Sequence, residues 1–114
     1  MKNTIMIKKN YEFKTLFSKG KFYYGDFIHM YIKKGNSSIN KFGIAISKKQ
    51  GKAVKRNRIK RLIRENYKNF ESRIEKGTQI LIIINKEKNI EEITFKDIEN
   101  NFLRTLKKSD ILVK

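Results

Sequence analysis

FGIAISKKQGKAVKRNRIKRLIRENYKNF, Phe42 to Phe70, changes period in its middle. Phe42, Ile44 and Ile46 alternate with Gly43, Ala45 and Ser47, so the first six residues read as a strand with one bulky face and one nearly bare face. A bare face invites close approach by a helix or a ligand. After a loop around Gly51 the apolar residues recur at helical spacing. At steps of about 100°, Ile59, Leu62, Ile63 and Phe70 share one arc, which predicts a helix from about Ala53 to Phe70 docked on a sheet. Asn57, Lys60, Arg61, Arg64 and Lys68 take the opposite arc, with Arg56 and Arg58 on its shoulders.

Outward from this stretch the pattern continues in alternating kinds of element. The apolar run from Gln79 to Ile84 reads as a strand buried on both faces. Upstream, Asp26 to Lys33 alternates, with Phe27, His29 and Tyr31 against Ile28, Met30 and Ile32, and predicts another strand followed by a Gly, Asn and Ser loop over 34–41. Asn10 is placed to cap a short helix through Ser18, with Phe13, Leu16 and Phe17 on one face and Gly20 as its stop. Thr94 with Asp97 forms a capping-box pattern that opens a last helix carrying Phe95, Ile98, Phe102 and Leu106 at helical spacing. The expectation is an α+β sandwich, three helices on a single sheet of about four strands, within one domain spanning 1–114.

Charge points to the partner. Four of the six arginines lie between Arg56 and Arg64, and residues 47–68 hold ten of the 28 Lys and Arg against one carboxylate, Glu65, so this stretch supplies +9 of a total of +17. Lysine is abundant throughout the chain, whereas arginine is scarce, so its clustering carries information. A guanidinium offers a planar fork of donors that fits phosphate oxygens and stacks on bases. Arg56, Lys60, Arg64 and Lys68 stand at i, i+4 spacing, each like-charge pair opposing an isolated helix by about 0.2 to 0.5 kcal/mol. Cations at the helix start, with Lys48, Lys49 and Lys52 leading into it, also oppose the helix dipole by roughly 0.3 to 1 kcal/mol each. Phosphates would remove both costs, while a merely solvated face would mix signs.

A pI of about 10.2 strengthens the same reading. No apolar run reaches the eighteen or so residues of a membrane span, and the opening MKNTIMIKKN is too polar and too short for a secretory core, which predicts a cytosolic protein and no membrane partner. Zero cysteines removes disulfides, thiolate zinc sites and thiol catalysis together.

The string from Phe42 to Asn66 resembles the bacterial ribonuclease P protein subunit, whose hallmark is an arginine-asparagine-arginine motif in a basic helix that follows a strand and an SKK turn. Here the motif is Arg56, Asn57 and Arg58. Phe13, Phe17, Gly20 and the strand bearing Tyr31 fit at the right distance, so the resemblance covers most of the chain to Phe70 and is one of pattern alone beyond it. It implies a small basic protein that joins a catalytic RNA, cleaves the 5′ leader from precursor tRNA as part of that holoenzyme, and leaves the chemistry to the RNA and its magnesium ions. It implies that Arg56, Asn57, Arg58, Lys60, Arg61 and Arg64 face the RNA subunit with Lys48 and Lys49 beside them; Lys52 and Lys68 extend the same charged surface. It also implies that Phe13, Phe17 and Tyr31 line a cleft for the single-stranded leader, and that the crossover from strand through helix to strand is left-handed, in a ribosomal-protein-type sandwich. The general rule favours the opposite hand in roughly 98% of cases.

From the residues alone, Phe13 and Phe17 fit a core as well as a stacking platform, and Tyr31 prefers a wet edge for its hydroxyl. Rival functions find less support. A protein nuclease needs paired carboxylates for a metal, or a base beside a nucleophile. His29 lies in a strand pattern and reads as structural or cleft-lining; Asp97 and Glu99 suit a helix start; Glu91 and Glu92 read as loop charge. No catalytic residue, protein-held metal or small-molecule substrate is expected. A general RNA chaperone would lack an aromatic cleft beside the arginine helix. A membrane binder would need the apolar face that docks on the strands, and no helix-turn-helix spacing supports a DNA reader.

Overall fold

Ile80, Ile82 and Ile84 alternate with Leu81 and Ile83 on the strand around which the sheet is built. In the computed structural model, residues 2–35 and 37–113 are described; position 36, inside the expected loop 34–41, and the two terminal positions lie outside them. The elements run β1 (Thr4–Met6), α1 (Asn10–Lys19), β2 (Lys21–Tyr23), β3 (Ile28–Lys34), β4 (Asn40–Ala45), a 3₁₀ turn (Lys48–Gln50), α2 (Ala53–Phe70), a second 3₁₀ turn (Glu71–Arg73), β5 (Thr78–Ile84) and α3 (Phe95–Lys108). The sheet has five strands in the order β1-β4-β5-β3-β2 rather than about four. β5 pairs in parallel with β4, to which α2 connects it, and antiparallel with β3. The two unforeseen strands, β1 and β2, have three residues each. Such pieces are too short for a period of two to be counted.

Two apolar clusters lie on opposite faces of the sheet. On one, Ile59, Ile63, Tyr67 and Phe70 of α2 and Ile98, Phe102 and Leu106 of α3 pack on Ile28, Met30, Ile32, Phe42, Ile80, Ile82 and Ile84. The other holds Leu16 of α1 with Ile7 and Leu81, and Phe13, Tyr31 and Ala45 packed against them. The bare face of β4 admits α1: a Cβ at Gly43 would stand 3.1 Å from both Ile7 Cβ and Phe13 Cε1. Gly20 stops α1 for reasons of space rather than handedness, since its φ is −74° and a Cβ there would meet Leu16 O at 2.5 Å. Lys9, not Asn10, takes the cap position of α1, without a side-chain bond. The expected box at α3 is present, with Thr94 N–H donating to Asp97 Oδ2 at 2.9 Å and Asp97 N–H to Thr94 Oγ1 at 3.2 Å.

Tyr67 ties β1 to α2. Fully buried, it stacks on Phe42 with ring centroids 4.0 Å apart, and its hydroxyl lies 2.9 Å from Thr4 Oγ1. Burial pushes this hydroxyl up to about 12. As pH rises past about 10 the unfolded chain releases the proton first, so the native state binds more protons and stability falls between about pH 10 and 12. Below that window the contribution is complete. Chemical denaturation at about pH 9 and 11 should show wild type losing about 1.4 kcal/mol more than Tyr67→Phe, which has no such proton to release. Equal losses would mean that the hydroxyl titrates normally.

Candidate nucleic-acid interface

α2 has Lys52 at its N-cap, with no side-chain cap bond and no acidic residue in its first turn. Its electrostatic cost is therefore left uncorrected within the helix. Two of its arginines are turned to the protein. Arg56 Nη1 donates to Gly51 O at 3.1 Å and to Lys48 O at 3.4 Å, bracing the preceding turn. Arg58 reaches across to the segment before α3, donating to Ile93 O at 3.1 Å through Nη2 and to Ile90 O at 3.4 Å through Nη1. Their partners are carbonyls rather than carboxylates, and their forks are partly occupied.

The outward stripe differs. Asn57, Arg61 and Arg64 are exposed, and among the described residues neither arginine has a carboxylate within ion-pair distance. Lys68 pairs with an exposed neighbour on its own helix, Glu65 at 3.6 Å, a contact of the kind worth less than about 1 kcal/mol. Lys48, Lys49 and Lys52 are also exposed, on a turn held by Ser47 and Gln50: Ser47 N–H donates to Gln50 Oε1 at 3.1 Å and Lys49 N–H to Ser47 Oγ at 3.2 Å. The capped turn fixes where these ammonium groups begin.

Lys60 turns toward the side of the sheet that carries α1. There it helps to line an open cleft of about 690 Å³ with Asn10, Phe13, Lys14 and Phe17 of α1, residues 44–47 and Gln50, and Ile83, Ile84 and Lys86. The floor is apolar, two aromatic rings form one wall, and Lys14, Lys60 and Lys86 supply positive charge. Phe13 packs against the α1 cluster and lines the cleft. Phe17 is 43% exposed. Tyr31 is not among the lining residues; it stands behind Phe17 in an edge-to-face contact with centroids 5.0 Å apart. Lys14, Lys86 and Ile83 escape sequence reading because the cleft draws on the ends of separate strands. For Lys14 a signal existed, since it adjoins Phe13 and lies one turn before Phe17.

A smaller cavity of about 240 Å³ lies between residues 24–27 and α3. Its polar groups are largely matched within the protein: Arg104 pairs with Asp26 at 3.3 Å, and Asn101 Oδ1 accepts from the N–H groups of Phe27 and Ile28. Among the described residues no group of three or more His or carboxylate side chains could hold a metal ion, and no helix is long and apolar enough to cross a membrane.

Comparison with known proteins agrees with this geometry. The Ribonuclease P family profile matches residues 1–110. The chain is 40% identical over 106 residues to the ribonuclease P protein component of Clostridium botulinum, covering 92% of this chain and 94% of that one. Its identity to the ribonuclease P protein component of Fusobacterium nucleatum is 38% over 108 residues, covering 93% and 97%. Among solved structures it is similar to the RNase P protein of Staphylococcus aureus, with a TM-score of 0.82, 32% identity and coverage of 94% and 96%. For the RNase P protein of Thermotoga maritima the TM-score is 0.81 at 26% identity, covering 91% and 96%.

Proposed function

The chain belongs to the ribonuclease P protein family, and from that membership we propose that it binds a catalytic RNA through α2 and the 5′ leader of precursor tRNA through the cleft, assisting magnesium-dependent removal of the leader. The observation that carries this reading is the continuity of the two surfaces: Lys60 belongs to the cationic helix and also lines the aromatic cleft.

Each part has a physical task. Arg61 and Arg64, without a carboxylate partner among the described residues, offer their forks to RNA phosphates and lessen repulsion between two polyanions. Phe13 and Phe17 present ring surfaces on which unpaired bases stack, while Lys14, Lys60 and Lys86 face the strand's phosphates. Arg56 and Arg58 act in this reading mainly by fixing the approach to α2 and the segment before α3, adding charge at shorter reach. Magnesium belongs to the RNA here. The proposed place of action is the cytoplasm.

Reconstitution with the cognate catalytic RNA at low magnesium tests the assignment. The holoenzyme should cleave precursor tRNA well above the rate of the RNA alone, and the protein alone should cleave nothing. Robust magnesium-dependent cleavage by RNA-free protein, or a holoenzyme no faster than its RNA, would overturn it.

A further inference from the structure

Beyond the cleft the same sheet face carries a second aromatic group. From Phe17 the rings continue through Tyr31 at 5.0 Å, Phe22 at 5.1 Å, His29 at 5.2 Å and Tyr24 at 4.8 Å, each distance taken from the preceding centroid. Phe22 and Tyr24 are 45% and 62% exposed. Planar groups this open, Phe22 on the edge strand β2 and Tyr24 just past its end, do little for the core and mark a contact surface. Their geometry is fixed from behind. Gly25 N–H donates to His29 Nδ1 at 3.0 Å, so the neutral ring carries its proton on Nε2 and keeps that donor for a visitor.

The group is continuous with the cleft. Ala45 and Ile83, both cleft-lining, are register partners, and Ile83 is in turn the partner of His29. Three strand spacings of roughly 4.8 Å separate β4 from β2, about 14 Å in all, which is room for about two to four unpaired nucleotides. Lys33 shares this face with His29 and Tyr31 by the alternation of β3, and Lys14 and Lys86 stand at the cleft end. Against them stands Glu87, which acts on His29; Asp26 is already paired with Arg104. Positive charge, exposed rings and an unbroken path favour an unpaired nucleic acid over a protein partner.

We propose that the single strand held in the cleft continues across β5 and β3 onto Phe22, His29 and Tyr24, so that a second set of leader bases, farther along the strand, is bound by stacking at the β2 edge. The proposal rests on the cleft being the leader site, and its test separates the two.

The test measures binding of the reconstituted holoenzyme to precursor tRNAs with a short leader that ends inside the cleft or a long leader that runs past Tyr24. Phe22→Leu with Tyr24→Leu keeps apolar bulk and removes the planes. This variant should lose roughly 5- to 150-fold in affinity for the long leader for each base stacked on the two removed rings, and nothing for the short one. Phe17→Ala should weaken both. Equal losses of the double variant on both leaders, or no loss on the long one, overturn the second subsite whatever Phe17→Ala does. No effect of Phe17→Ala on either leader removes the underlying cleft assignment instead. Melting curves accompany each variant, and Tyr24→Leu alone, at the more exposed position, must reproduce the length dependence if the double variant melts early.

Discussion

At about 0.1 M salt, the Arg61→Ala, Arg64→Ala double variant is expected to bind the catalytic RNA roughly 25- to 60-fold more weakly than wild type. Its plot of log affinity against log salt should be shallower by about 1.4 to 1.8 units. The figures follow from counterion release: each phosphate contact contributes a slope of about 0.7 to 0.9, which at about 0.1 M salt is a factor of about 5 to 8 per contact. Both side chains are exposed and lack carboxylate partners among the described residues, so their forks are open to phosphates. Folding stability should hold or rise slightly, because the change also removes the like-charge pairs of Arg64 with Lys60 and Lys68. Arg58→Ala supplies the contrast. Its guanidinium holds the carbonyls of Ile90 and Ile93, and its loss should lower stability by about 1 to 3 kcal/mol with a smaller change of slope. Filter binding over a salt series with parallel denaturation curves checks both. An unchanged slope in the double variant would remove the outer stripe from the RNA contact.

The contrast between these arginines also marks what the sequence made legible. Charge and spacing placed Arg56 and Arg58 on the shoulders of the helix, where the structure has them, but the carbonyls they hold lie at residues 48, 51, 90 and 93. Periodicity carries no information about such distant partners. α2 itself, from Ala53 to Phe70, was readable to the residue because strong amphipathicity coincided with a change of period. Its buried face was read less fully. Tyr67 and Asn66 belong to it as well; Asn66 Nδ2 donates to Leu62 O at 3.0 Å and Phe95 O at 3.3 Å, while among the described residues its buried Oδ1 has no partner. β1 and β2 lack a sequence signal for a different reason: each is fixed by pairing with a longer strand, and its own three residues are compatible with a loop. Tyr31 was assigned to the cleft wall, and the structure puts it one ring behind.

That displacement sets the last expectation. Phe17→Ala should weaken holoenzyme binding of precursor tRNA by roughly 5- to 150-fold, the range for one base–aromatic stack of about 1 to 3 kcal/mol. Affinity for mature tRNA, which has no leader, should not change. Phe17 is partly exposed and touches Tyr31 by its edge, so its truncation leaves the core of Leu16, Ile7 and Leu81 intact. Tyr31→Ala should act otherwise. Tyr31 packs against that core and contacts both Phe17 and Phe22, so its removal opens a void beneath the wall and costs stability as well as precursor affinity. Fluorescence titration of both RNAs, with melting curves for each variant, separates the cases. Equal losses of precursor and mature tRNA on Phe17→Ala would mean that the ring supports the fold rather than an unpaired strand, and the cleft would then need another occupant.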